Sequence, residues 1–317
     1  MRVAPRSAAL HAPSMERTTR IPLLARTRET GAHPTRPTKV AATSHEQRDI
    51  VTSGVRIRYI DVGPTEPEGA SERPILLIHG LSSRLEEYET LVPHLARRHR
   101  LLVPDLPGSG YSDKPDRPYS LSFCEDVLLG LLDAAGVGEA HVGGGSLGGN
   151  LALRLGHREP DRFHKIVAWA PAGAWAPRPL LARLMRALKF RALFWPSVWI
   201  QSRFWYEASW PGRESALRDV FAYYREVQSA GFVRMYFELG VEQLEHSLFG
   251  VAHRIRQPTL LLWGDRDHGM NMGAGVKHLV GLLPAGRLHV FPGARHALAN
   301  EVPAELAAIA ERFLLEP

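Results

Sequence analysis

Short apolar runs bounded by Pro or Gly alternate with helix-periodic stretches from about residue 46 onward, and this alternation restricts the fold more than any other feature of the chain. DIVTSGVRIRYIDVG reads as two strands turning at Ser53-Gly54. RPILLIHG is a continuous apolar run between Pro74 and Gly80, the pattern of a strand buried on both faces. The helical pattern EEYETLVPHLARR follows, then the strand HRLLVPD, the helix SLSFCEDVLLGLLDAAGV, the strand EAHVGGGS, the helix LGGNLALRLGHREP and the strand FHKIVAWAPAG. Such regular alternation predicts an α/β fold, a mostly parallel sheet with helices on both faces.

The pattern stops near Ala174 and resumes with QPTLLLWGDRD, the helix GAGVKHLVGLLP, the strand GRLHVFPG and the closing helix PAELAAIAERFL. The interruption, 174–254, is helix-like and holds five of the chain's seven tryptophans: Trp175, Trp195, Trp199, Trp205 and Trp210. An insertion that leaves the sheet pattern intact on either side projects from one end of the sheet. Ligands bind beyond the strand C-termini in open sheets of this kind, so 174–254 reads as a lid. Two further segments, 46–173 and 255–317, then form the core.

The formal charge of +6 hints at a polyanionic partner until its origin is located. Residues 1–45 hold eight Lys or Arg against two Glu, which accounts for all of it. No basic stripe with interleaved aromatics crosses the rest, so nucleic acid is not an expected partner. The N-terminal stretch, rich in Arg and Pro and without apolar periodicity, is expected to be a disordered extension. It lacks the apolar core of a secretory signal, since Ile21 to Ala25 is short and contains Pro22. A solvated extension, or a true start at Met15, explains it better than a targeting segment. The single cysteine, Cys124, excludes an intrachain disulfide and reads as a small core residue. With no run long enough to span a membrane, the expected location is cytoplasmic.

HVGGGSLGGN, 141–150, satisfies two motifs. From Gly143 it is G-x-G-x-x-G, which cradles a dinucleotide pyrophosphate, and from Gly144 it is G-x-S-x-G, which presents a nucleophilic serine. The first belongs to the opening strand-turn-helix unit and needs an acid at the end of the next strand. Here the glycines follow the fifth strand, and the next ends Val167-Ala168-Trp169-Ala170. The serine reading needs an imidazole to take the hydroxyl proton and a carboxylate to orient that imidazole. Asp267 follows the strand LLLW and His296 follows the strand HVFPG, in the order Ser, acid, His.

With LLIHG (76–80), VPDLPGSGYSDKP (103–115), GGSLGG (144–149), WGDRD (263–267) and GARHALANEVP (293–303) in this order, the chain resembles the α/β-hydrolase superfamily from about residue 46 to 317. The resemblance implies an α/β-hydrolase fold with an eight-stranded sheet and a helical cap inserted after the sixth strand. It also implies Ser146 as nucleophile, His296 as general base and, through the W-G-x-x-D spacing, Asp267 over Asp265 as the acid. The backbone N–H groups of Leu81 and Leu147 would form the oxyanion hole. His79 and Asp105 are assigned to holding loops. His94, His99, His157 and His164 are expected to be solvated. No cofactor is implied, and no metal, because ligand spacing and H-E-x-x-H are both absent. A serine in place of a nucleophilic aspartate argues against dehalogenase and epoxide hydrolase chemistry. Gly145, where relatives often carry a larger residue such as His, suggests an open pocket floor.

Between Leu180 and Arg203 stand Arg183, Arg186, Lys189, Arg191 and Arg203 without an acid, while Leu181, Leu184, Met185 and Leu188 share one helical face. This face is expected to pack over the active site, in preference to resting on a membrane. The tryptophan-rich wall then predicts a small hydrophobic substrate. Three functions fit: a serine carboxylesterase acting on hydrophobic esters or lactones, a carbon–carbon hydrolase of the meta-cleavage type using the same triad, and a binding protein on a hydrolase fold. Ala297 stands where carbon–carbon hydrolases commonly place Trp, which favours the first.

Overall fold

In the computed structural model, residues 34–38, 42–187, 191–269 and 272–317 are described. Eight strands form one sheet: β1 (Gln47–Thr52), β2 (Val55–Val62), β3 (Ile75–Ile78), β4 (Leu101–Pro104), β5 (Ala140–Gly145), β6 (Phe163–Trp169), β7 (Thr259–Gly264) and β8 (Gly286–Phe291). Their order is β1-β2-β4-β3-β5-β6-β7-β8. β2 pairs antiparallel with both β1 and β4, and all other pairings are parallel. The helices are α1 (Val92–Leu95), α2 (Leu121–Ala134), α3 (Leu147–Arg158), α4 (Pro179–Ala187), α5 (Phe194–Trp205), α6 (Arg213–Val227), α7 (Ala230–Glu245), α8 (Met272–Leu282), α9 (Leu298–Glu301) and α10 (Pro303–Leu315).

The two-residue period of a strand divides the core. Leu76 and Ile78 join α2 and α3 in the larger apolar cluster, whereas Ile75 and Leu77 join α1 and α10 in the smaller one. This is the two-sided burial that the apolar run RPILLIHG predicts. Cys124 is fully buried on α2, where burial pushes its thiol pKa up.

Helices α4–α7 occupy the stretch between β6 and β7 and reach the loops at the C-terminal ends of the strands. The Tyr223 hydroxyl donates to Ser83 O (2.9 Å) after β3 and accepts from Gly110 N–H (2.7 Å) after β4. The Trp205 carbonyl accepts from Ala297 N–H (3.0 Å) after β8.

Ordered contacts begin ahead of residue 46. Arg36 pairs with Asp49 at 2.6 Å, the Thr38 hydroxyl donates to Glu226 at 2.8 Å, and Ser44 donates to Glu89 at 2.7 Å. The remainder of the predicted extension, 1–33 and 39–41, including Met15 and Ile21 to Ala25, lies outside the described residues, as do Leu188 and Lys189.

Two expectations about faces are corrected. On α4 only Ala182 is buried, while Leu181 and Leu184 are exposed, so the leucine face does not pack over the site. Helical periodicity identifies residues that share a face; it does not say which way that face turns. His99, expected in solvent, is fully buried at the start of β4. Its ring lies edge-on to His141 at 6.3 Å, and His141 lies 5.6 Å from His164.

Candidate active site

Ser146 caps the N-terminus of α3 on a tight turn after β5, with φ 54° and ψ −115°. A non-glycine residue in that region costs on the order of 1–3 kcal/mol and persists only where surrounding contacts enforce it. Here Ser146 N–H donates to Trp169 O at 3.0 Å, and Ser146 O accepts from Asn150 and Ala172. Gly144 and Gly148 let the turn close, because a Cβ on either would collide with the Ile78 carbonyl. Gly145 differs from expectation. A Cβ there would strike the Trp169 indole, so the space attributed to an open floor is filled from the neighbouring strand.

His296 follows β8 and Asp267 follows β7. The His296 Nδ1–H donates to Asp267 Oδ2 at 2.8 Å, leaving Nε2 for another partner. Asp267 is buried and also accepts from Gly269 N–H at 3.3 Å. Asp265 instead accepts from Gly293 N–H at 2.7 Å, shaping the turn before His296. Ser146 and His296 sit at the same end of the sheet, although no hydrogen bond joins them among the described residues. Catalytic hydrogen bonds of this kind often tighten only when substrate binds.

The loop after β3 closes on the serine. The position of a Cβ on Gly80 falls 3.6 Å from Ser146 Cβ. Among the described residues, neither Leu81 N–H nor Leu147 N–H has an acceptor. Leu147 N–H also opens α3, where the helix dipole favours negative charge. His79 joins this loop to the next: Leu106 N–H donates to its Nε2 at 3.0 Å, so Nδ1 carries the proton given to Gly80 O at 2.7 Å. Asp105 is likewise a loop organiser, accepting from Leu85 N–H and Tyr111 N–H, each at 2.7 Å.

Two neighbours of the serine escaped the sequence reading. Tyr88, fully buried, donates to Ile78 O at 2.7 Å and accepts from Gly145 N–H at 3.1 Å, tying β3 to β5 at the turn. Glu87 Oε2 accepts from Gly80 N–H at 3.1 Å and lies 3.7 Å from the same Cβ position that Ser146 flanks. Both are delivered by the short turn Leu85–Tyr88. Fully buried Arg58 anchors that turn, binding Glu86 with two nitrogens (2.9 and 2.8 Å) and Asp105 with a third (2.6 Å). The available signal was EEYE directly after the LLIHG loop, a concentration of acids next to a presumed oxyanion site.

These carboxylates set the histidine's electrostatics. Burial pulls the His296 pKa down, but the charge and hydrogen bond of Asp267, with the charges of Glu87 and Glu301, outweigh it and hold the ring above the ordinary histidine value. The groups that α6 and α7 bring to the loop after β3 are aromatic and polar. Tyr224 OH shares a 3.0 Å hydrogen bond with Ser82 Oγ, and a Cβ on Gly240 of α7 would lie 3.8 Å from Leu81. Burial and the charges of Glu87 and Glu301 push the Tyr206 phenol pKa up. Trp199 is on the outer surface and contributes nothing to this wall. No group of three or more His, Cys, Asp or Glu able to hold a metal occurs among the described residues.

A family model described as alpha/beta hydrolase fold matches residues 73–300. The 2-hydroxymuconate semialdehyde hydrolase of Pseudomonas sp. strain CF600 is 27% identical over 286 residues, spanning 85% of this chain and 94% of that one. Among solved structures, a hydrolase from Pseudomonas aeruginosa aligns with a TM-score of 0.72 and 24% identity over 86% of this chain and 99% of its own. The enol-lactonase of Burkholderia xenovorans aligns with a TM-score of 0.67 and 23% identity over 85% and 100%.

Proposed function

The chain belongs to the α/β-hydrolase family, and from that premise we propose that it is a serine hydrolase cleaving a hydrophobic carboxylic ester or lactone through an acyl-enzyme. The observation that carries this reading is the 2.8 Å His296–Asp267 hydrogen bond at the end of the sheet where Ser146 is held on its strained turn. Asp267 fixes the tautomer with the proton on Nδ1, so Nε2 takes the Ser146 proton as Oγ attacks the carbonyl. The oxyanion that forms is met by the N–H groups of Leu81 and Leu147. His296 then returns its proton to the departing alkoxide, and the same base activates the water that releases the acid. Residues 174–254 form the cap over this site.

Carbon–carbon cleavage by the same residues is the second reading, favoured by the named activity of the Pseudomonas relative. By its name, that relative's substrate retains a carboxylate. Here Glu87 and Glu301 add their negative charges to that of Asp267 around His296, an environment that supports a neutral substrate.

A panel of p-nitrophenyl esters of increasing chain length, with Ser146→Ala as control, tests the proposal. Turnover of a neutral ester, together with labelling of wild type but not Ser146→Ala by a fluorophosphonate, is the expected result. Absence of both in the wild type refutes the serine hydrolase reading and favours a binding protein on this fold.

A further inference from the structure

Helix α5 is apolar on two opposite sides. Its inner side is packed, with Phe194 edge-on to Tyr224, Phe232 and Tyr236 at 5.2 to 5.7 Å, and with Val198 fully buried. Its outer side carries Trp199, Ile200 and Phe204, which are 41%, 53% and 48% exposed, with Ile200 and Phe204 one turn apart. A helix apolar all round is ordinarily enclosed, and an exposed apolar strip marks a docking surface. The preceding helix α4 repeats the feature, with Leu180 82% and Leu184 54% exposed.

Charge selects the occupant. From Ala174 to Tyr206 the sequence holds six Lys or Arg and no Asp or Glu. The Arg203 guanidinium lies 3.7 Å above the Trp199 ring, placing a cation and an aromatic together on the exposed side. A second copy docking by the same face would set arginine against arginine. The N-terminal extension is no better suited, since residues 1–33 hold six Arg and two Glu. A polyanionic, apolar-backed layer satisfies both the charge and the exposed rings, and aromatics beside arginines are the composition of helices that lie in a membrane interface.

We propose that the outer face of α4 and α5 rests on an anionic lipid surface, with Trp199, Ile200 and Phe204 entering the boundary between headgroups and acyl chains. The position of the face gives this docking a use. The carbonyls of Arg203 and Trp205, at the C-terminus of α5, accept from Arg295 Nη1 (2.9 Å) and Ala297 N–H (3.0 Å), on either side of His296. A bilayer bound there adjoins the catalytic loop, and amphiphilic esters held in it become the substrate class. This last step rests on the serine hydrolase reading; the docking itself does not.

The test is co-sedimentation of the full chain with vesicles of phosphatidylcholine, alone or mixed with phosphatidylglycerol. Wild type is expected to bind the mixed vesicles, to bind pure phosphatidylcholine more weakly and to be released by salt. A triple variant, Trp199→Ser, Ile200→Ser and Phe204→Ser, is expected to bind roughly tenfold or more weakly. It should hydrolyse a short p-nitrophenyl ester at the wild-type rate, because all three side chains are exposed on the outer side of α5. Failure of wild type to bind mixed vesicles, or equal binding by the triple variant, overturns the proposal; the second outcome transfers the affinity to the basic extension. Concentration-dependent dimerisation of wild type that the variant lacks overturns it in favour of a second copy. Loss of short-ester hydrolysis in both proteins counts against the hydrolase reading and leaves the docking result standing.

Discussion

Histidines sit at both ends of the parallel sheet, and their electrostatics are opposite. His296, beyond the C-terminal end of β8, is surrounded by the charges of Asp267, Glu87 and Glu301, which raise its pKa against the effect of burial. His99 and His141, at the N-terminal ends of β4 and β5, have no such partners. Burial takes the first, with Arg98 adding to it, down to about 4, and takes the second, with His99 and His164 adding to it, down to about 3. Neither ring nitrogen of His99 has a hydrogen-bond partner among the described residues. Desolvation is common to the three rings, so the difference lies in what faces them: carboxylates at one end, cations and other histidines at the other. One end is built to hold an imidazolium and the other to reject it.

The largest test of this contrast removes the parts of the charged end. Ser146→Ala or His296→Ala is expected to lower kcat/KM for a p-nitrophenyl ester by about 10⁴-fold or more, and Asp267→Asn by a similar factor. A His296→Ala enzyme near wild-type activity would break the assignment. At the other end the effect is on folding. An unfolded histidine titrates near 6.5, whereas folded His99 stays neutral down to about 4. Between those values the unfolded chain binds the extra proton, so stability falls as pH drops from 6.5 toward 4, by on the order of 3 kcal/mol for this residue. Urea unfolding of His99→Leu across that range should show a flatter slope than wild type; an identical slope would mean that His99 is not buried neutral. The smallest expected effect sharpens the comparison from within the site. Glu87→Gln removes a negative charge that holds the His296 pKa up, so the acid limb of the kcat/KM profile should move to lower pH. A limb that stays in place, or moves upward, would show that Glu87 does not act on His296.

The fold was legible because its information is local. The central strands announce themselves by short apolar runs and the first two by their turn at Ser53-Gly54, and the order of Ser146, Asp267 and His296 along the chain needs only their places at strand ends. Asp267 is separated from Asp265 only by the family resemblance, whose W-G-x-x-D spacing selects it, and not by anything in the local residue pattern. Glu87 and Tyr88 were not legible. They reach Gly80 and Gly145 because Arg58 on β2 and Asp105 after β4 hold their turn in place, an arrangement spread over almost fifty residues. The same limit applies to α4, whose outward leucines look identical in sequence to inward ones, and to His99, whose ring packs against His141 of β5, forty-two residues further along the chain.

Gly145 and Trp169 occupy one volume between them: the glycine leaves the space and the indole on β6 fills it. The two positions therefore constrain each other's history. A larger residue before Ser146 becomes admissible only after Trp169 has shrunk, and Trp169 shrinking first leaves a void beside the Ser146 turn. Each single step passes through a worse protein, so the pair is expected to change together or not at all. In directed evolution of this chain, libraries that vary Gly145 alone should return glycine, while libraries that vary both positions should return compensated pairs.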